Sequence, residues 1–376
     1  LGPELEIDGP GAAMDGLTVT SADNTIRNLV IGGFTDVDRA AVLILGVGAT
    51  GNTIAGNFLG ATATGNGANG NRNGVRITGG ANNNTIGGTV GADRNVISGN
   101  LDNGVLINGA GSDDNIVQGN FIGTDAIGTG PVANGQAGVA IDVGAAGNLI
   151  GGTTVDSANR ISSNGSDGVR ATATAGSGNS ILRNVIVDNT GLGIDLDADG
   201  VTPNGAGDPL NFPVITSAVE AAGTVTVDFD LDVPAGDYRI EFFRNTAADS
   251  SGYGEGETFV DFYDVVGHPG GSATYSTTFA GAAGDILTAT ATEDLGASYG
   301  STSEFSAARA VGPLSFVVNS GGDAADSVPG DGVCDTGGIN SEGASECTLR
   351  AAIEEANLTG GASSISFAIP DSDPLY

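Results

Sequence analysis

The chain has 376 residues, with 45 acidic residues against 12 basic ones, all arginine, and a net charge of −33. That balance excludes nucleic acid and anionic membranes as partners, because both repel an acidic surface, and no run of roughly eighteen apolar residues is present to span a bilayer. Sixty-five glycines would suggest disorder, but 39% of the residues are apolar and the glycines recur periodically, so an ordered fold of two or three domains is expected.

In chain order, the opening Leu-Gly-Pro-Glu has neither an initiator methionine nor a signal peptide, and a mature or excised piece of a longer precursor is expected. Glu4-Leu-Glu-Ile-Asp8 reads as a strand entering a repeat. The Asn of an N-x-[IV] motif recurs at Asn24, Asn52, Asn84, Asn115, Asn148 and Asn179, in steps of 28, 32, 31, 33 and 31. A second motif keeps pace, as Ala41-Val-Leu-Ile, Gly74-Val-Arg-Ile, Gly104-Val-Leu-Ile, Gly138-Val-Ala-Ile, Gly168-Val-Arg-Ala and Gly193-Ile-Asp-Leu. Alternate units are the closer relatives, at separations of 63, 64 and 64 residues (115 − 52, 148 − 84, 179 − 115).

Such periods belong to solenoids, whose units bury a core only by stacking. Each unit holds runs too short for a helix, such as Asn95-Val-Ile-Ser98, punctuated by Gly and Asn that tolerate left-handed turns. A parallel β-helix over residues 1–200 explains both periods, and Asn in register is expected to stack its amides into a ladder that satisfies buried backbone groups. The Asn-Thr-Ile, Gly-Asn and Gly-Val-x-Ile grammar resembles the bacterial right-handed parallel β-helix repeat family over about residues 17–200. That resemblance implies the fold and leaves function open, since the scaffold hosts pectin and alginate lyases, glycosidases, adhesins and passive fibres.

From residue 201 to 312 the strands lengthen and alternate, as in Gly223-Thr-Val-Thr-Val-Asp-Phe-Asp-Leu231 and Tyr238-Arg-Ile-Glu-Phe-Phe243, and an antiparallel β-sandwich is expected. These segments resemble an immunoglobulin or fibronectin-III-like domain. Residues 313–376 hold the only convincing helix, starting at Cys347-Thr-Leu-Arg-Ala-Ala352, with Leu349, Ala352, Ile353 and Ala356 as its expected apolar face. This segment resembles the CSLREA domain, departing from it at Thr348 and Ala351 and in a longer loop between the cysteines. That domain commonly caps the N-terminus of a β-helix, whereas here it comes last. The two ends therefore read as complementary, and a head-to-tail array is expected, in which the cap of one copy closes the β-helix of the next.

Cys334 and Cys347 are expected to form a disulfide, with free thiols or a two-cysteine metal site as the alternatives. Asp195, Asp197 and Asp199 have D-x-D-x-D-G spacing that suits calcium, with Asp208 beyond Ala206 at the twelfth position; a solvated linker loop is the alternative. Asp323, Asp326 and Asp331 form a second calcium candidate, or acidic turns. Enzymatic readings fare poorly: His268 sits in a turn, the arginines show no lyase grouping, no pair of carboxylates stands out, and long loops to wall a cleft are not expected. The resulting expectation is a non-enzymatic extracellular structural protein, secreted or at the cell surface, whose partner is itself. A polysaccharide-active or glycan-binding protein and an adhesin stalk are the alternatives. An acidic, lysine-free surface fits a high-salt or calcium-rich exterior, and GC-rich coding bias accounts for it equally well.

Overall fold

The computed structural model describes residues 3, 5–9, 13–205, 210–330, 332–359 and 363–375. The first two hundred residues form a parallel β-helix with walls of seven, seven and six strands. One rung takes Thr53–Ala55 from the six-stranded wall, Phe58–Leu59 from one seven-stranded wall and Asn73–Thr78 from the other. The next rung repeats the order with Thr85–Gly87, Val96–Ile97 and Val105–Asn108. Registration is direct: Ile31 pairs with Leu59, Leu59 with Ile97, Ile97 with Ile122, Ile122 with Ile161, and Ile161 with Ile186. Because side chains alternate across a strand, like apolar residues stack in columns inside the coil. Ile54, Ile77, Ile86, Ile107 and Ile141 are fully buried there, each burial contributing about 1.5–3 kcal/mol.

The doubled period has a structural cause. Rungs of the Asn-Phe-[LI]-Gly type carry a hairpin loop after the Phe strand, closed by the bridges Ala61↔Ala68 and Thr124↔Pro131. The intervening rungs instead insert a 3-10 turn before that strand, at Gly91–Asp93 and Val155–Ser157. Where that turn is absent the corner is made by one left-handed residue, Gly56 or Gly119 at φ +67°, a conformation glycine adopts without strain.

The expected ladder is present, and there are two more. In the first, the backbone and side-chain N–H groups of Asn52 both donate to Asn84 Oδ1, at 3.0 and 2.9 Å. The pattern runs from Asn24 through Asn115 and Asn148 to Asn179. A second ladder links Asn57, Asn95, Asn120, Asn159 and Asn184. A third links Asn71, Asn100, Asn134, Asn164 and Asn189. In the second ladder, the other amide proton satisfies a carbonyl one rung back, as Asn95 does at Ile54 (2.8 Å).

Contacts divide the chain into two compact units, residues 1–214, 231–273 and 288–308, and residues 215–230, 274–287 and 309–376. In the first, the β-helix is followed by a sheet ordered Thr258–His268, Gly236–Asn245, Ile286–Asp294 and Tyr299–Thr302, its first two strands antiparallel. The second is built on a sheet ordered Gly271–Ala280, Thr224–Val233, Val214–Ala221, Gly312–Val318 and Ser363–Phe367. The last two strands are parallel and are joined through the disulfide-bonded loop and the helix Leu349–Thr359.

That helix is turned part-way from its expected orientation, with Ala352 and Ala356 of the expected face packed inward. Ala351, Ala352 and Glu355 are buried, whereas Leu349 and Ile353 are each 43% exposed. Two polar anchors turn it: Thr348 Oγ1 accepts the Ala351 N–H while donating to Ala324 O, and Glu355 accepts the Gly330 and Gly332 N–H groups. No helix among the described residues is long and apolar enough to cross a membrane.

Candidate functional site

Each ladder satisfies a rung's N–H groups with the Asn of the rung above, so the last rung needs another source of acceptors. The sheet that follows supplies it. Glu241 Oε2 accepts the Arg183 N–H at 2.7 Å. Glu255 accepts Asp188 N–H at 2.7 Å and Asn189 N–H at 3.2 Å. Glu304 accepts Leu196 N–H and Thr202 N–H, both at 2.9 Å. Hydroxyls complete the closure, with Ser301 accepting Gly178 N–H and Thr302 accepting Ile181 N–H. Ile186 and Gly256 exchange two backbone bonds of 2.9 Å.

The apolar column ends in the same place. Phe243 and Phe305 belong to the β-helix core and meet edge to face at 5.3 Å. Gly193 lies so close under Phe305 that a Cβ there would come within 2.8 Å of its ring. Arg183 stacks over Phe259 at 3.8 Å.

Electrostatics at this closure are unusual. Burial pushes Glu241 up, against the pull of the Arg183 N–H and of Arg239, whose Nε donates to Glu241 Oε1 at 3.1 Å. Burial raises Glu255 to about 7, with Asp249 and Asp188 adding to it. Glu304 is likewise raised to about 7 by burial and by Asp195, and Asp195 itself to about 6 by burial and by Asp167. These carboxylates are anchors for backbone N–H groups, held where water is scarce.

Among the residues expected to bind calcium, Asp195 is buried beside Glu304 and accepts Gly200 N–H at 3.3 Å. Asp197 is exposed, Asp199 accepts from the Thr202 hydroxyl at 3.5 Å, and Asp208 lies outside the described residues. Asp323 pairs with Arg350 at 2.7 Å, which holds its carboxyl below the usual range. Asp326 accepts Val328 N–H and Asp335 N–H, and Asp331 lies outside the described residues. Among the described residues no three His, Cys, Asp or Glu side chains are grouped to hold a metal. Cys334 and Cys347 do form the disulfide. His268 is buried, with Nε2 at 2.9 Å from Gly271 O.

The three capping glutamates carry no sequence signal of their own. Glu241 and Glu304 lie inside segments, Tyr-Arg-Ile-Glu-Phe-Phe and Thr-Ser-Glu-Phe-Ser, whose only oddity is an acid followed directly by phenylalanine. No protein-family model matches the chain, and no curated protein matches it.

Proposed function

We propose that this chain is a non-enzymatic extracellular structural module that stacks head to tail, each copy's C-terminal strand–helix–strand unit closing the first rung of the next. The observation that carries this reading is the directed character of the ladders. In the three ladders each accepting Asn Oδ1 serves the rung before it, and at the far end glutamates take over; a shorter Asn73–Asn103 pair runs the opposite way. At the near end, Asn24 Oδ1 accepts no hydrogen bond among the described residues, and Ile7, Leu17 and Ile26 are only partly buried at the end of the core. In the other unit, Ser363–Phe367 is a sheet-edge strand, and Leu349, Ile353, Leu358 and Phe367 are exposed. Parallel sheets ordinarily have both faces covered, so a free parallel edge beside apolar residues suits addition to another parallel stack.

The C-terminal unit is read as CSLREA-like and the intervening sheets as immunoglobulin- or fibronectin-III-like. The disulfide accords with an oxidising compartment. Calcium enters this proposal as a ligand of the acidic joints near Asp195 and Asp323. Electron microscopy of native material, with calcium and after chelation, tests the assembly. Unbranched filaments with a one-copy repeat are expected, shortened on chelation if calcium sits at the joints; monomers under both conditions would refute the head-to-tail contact.

A further inference from the structure

The sheet that contains Thr224–Val233 ends on one side in the strand Gly271–Ala280, and no strand among the described residues pairs with its outer edge. Its ten residues, Gly-Ser-Ala-Thr-Tyr-Ser-Thr-Thr-Phe-Ala, hold no charge and no proline. Such an edge presents a row of backbone N–H and C=O groups to any incoming strand, and folded chains ordinarily guard it with charge, proline or a bulge. The other sheet is guarded in that way. Its edge strand Thr258–His268 carries Asp261 and Asp264 and is interrupted by register shifts.

Side chains sort cleanly along the unguarded strand. Ser272, Thr274, Ser276 and Thr278 are exposed on one face, whereas Tyr275 on the other stacks on Phe229 at 5.6 Å. Two of the hydroxyls are tied inward, Thr274 donating to Asp230 and Ser276 to Asp228, both at 2.6 Å. A row of hydroxyls therefore stands between the carboxylates of this sheet and its edge.

We propose that this edge pairs with the same strand of a second copy, antiparallel about a two-fold axis at Tyr275, so that one sheet runs through two chains. That register sets Tyr275 beside its own copy, Thr274 opposite Ser276 and Ser272 opposite Thr278, the aromatic and hydroxyl pairs that favour antiparallel strands. Charge decides which edge can meet itself in a chain of net charge −33. Across this junction Asp228 and Asp230 stand three strand spacings from their copies, at least about 14 Å, which exceeds the screening length of about 10 Å at about 0.1 M salt. Self-pairing of Thr258–His268 would instead place aspartates on strands only about 5 Å apart. The inference does not rest on the head-to-tail reading, because a two-fold contact closes at two copies and a head-to-tail contact stays open.

A single strand pairing buries less than the roughly 1,200 Å² of a standard interface, so the test uses concentrated protein. It is sedimentation equilibrium of the intact chain at about 0.5 mM and about 0.5 M salt, where the net charge is screened. An equilibrium between one and two copies is expected. Ser272→Asp with Thr278→Asp sets carboxylates opposite each other twice and is expected to weaken pairing about tenfold. Ser272→Arg with Thr278→Asp sets opposite charges at the same two places and is expected to restore it. Both positions are exposed and make no hydrogen bond among the described residues, and circular dichroism confirms that each variant is folded. A single species of one-copy mass, association unchanged in the aspartate variant, or an arginine–aspartate variant no stronger than it would overturn the proposal. Growth past two copies that the aspartate variant leaves intact is the head-to-tail contact alone and overturns it as well.

Discussion

Asn115 shows what a single ladder position does. Its Oδ1 receives two N–H groups from Asn84, and its own amide reaches Ala81 O and Asn148. Asn115→Ala leaves those groups buried and unpaired, and a loss of about 3 kcal/mol or more is expected, at about 1–3 kcal/mol per orphaned group. Asn24→Ala, at the partly exposed end of the same ladder, should cost far less; equal drops in thermal midpoint for the two variants would contradict the ladder's role. The capping glutamates make a pH prediction. Glu255 and Glu304 have folded pKa values raised to about 7 from an ordinary value of 4.5, so the folded state holds more protons between those limits. Their contribution is then fullest below about pH 4.5 and is lost as the pH rises through about 7. Amide exchange at Leu196 and Thr202 should therefore quicken, beyond its intrinsic base catalysis, between pH 5 and about 8. Glu304→Gln, which keeps the acceptor oxygen and removes the charge, should flatten that rise.

At the scale of elements, the C-terminal helix is the instructive case. Amphipathic spacing pointed Leu349, Ala352, Ile353 and Ala356 inward; Ala352 and Ala356 do pack there, but burial of Glu355 against two loop N–H groups turned the helix far enough to leave Leu349 and Ile353 exposed. A short Ala-rich helix has little apolar moment to resist such anchors, because each buried carboxylate bond outweighs the exposure of part of a side chain. Leu349→Ser with Ile353→Ser is expected to leave the melting of the isolated chain nearly unchanged while shortening its filaments, as read by sedimentation. Unaltered filaments would remove this face from the contact. The disulfide makes a separate prediction, since Cys334 and Cys347 are 13 residues apart. Replacing both with serine should cost about 3 kcal/mol by freeing the loop in the unfolded chain, visible as earlier proteolysis within residues 322–347.

For the whole molecule, the coil, its strand runs and its first ladder were legible because a solenoid writes its fold locally: neighbouring rungs make the same contacts, so the period of the sequence is the period of the structure. The Asn of the second and third ladders also recur on every rung, but at uneven steps of 38, 25, 39 and 25 and of 29, 34, 30 and 25; beside glycine they read as turn punctuation, and only stacked coordinates separate an amide that merely tolerates a corner from one that spans two rungs. The cysteine pair was legible for a similar reason, being close in sequence within a small loop-rich segment. What the tertiary structure alone decided lies where periodicity stops. The acceptors for the last rung come from Glu241, Glu255 and Glu304, which are 58 to 108 residues from the N–H groups they bind at Arg183, Asp188, Asn189, Leu196 and Thr202. No local pattern marks such a partner, since any carboxylate delivered to that point would serve.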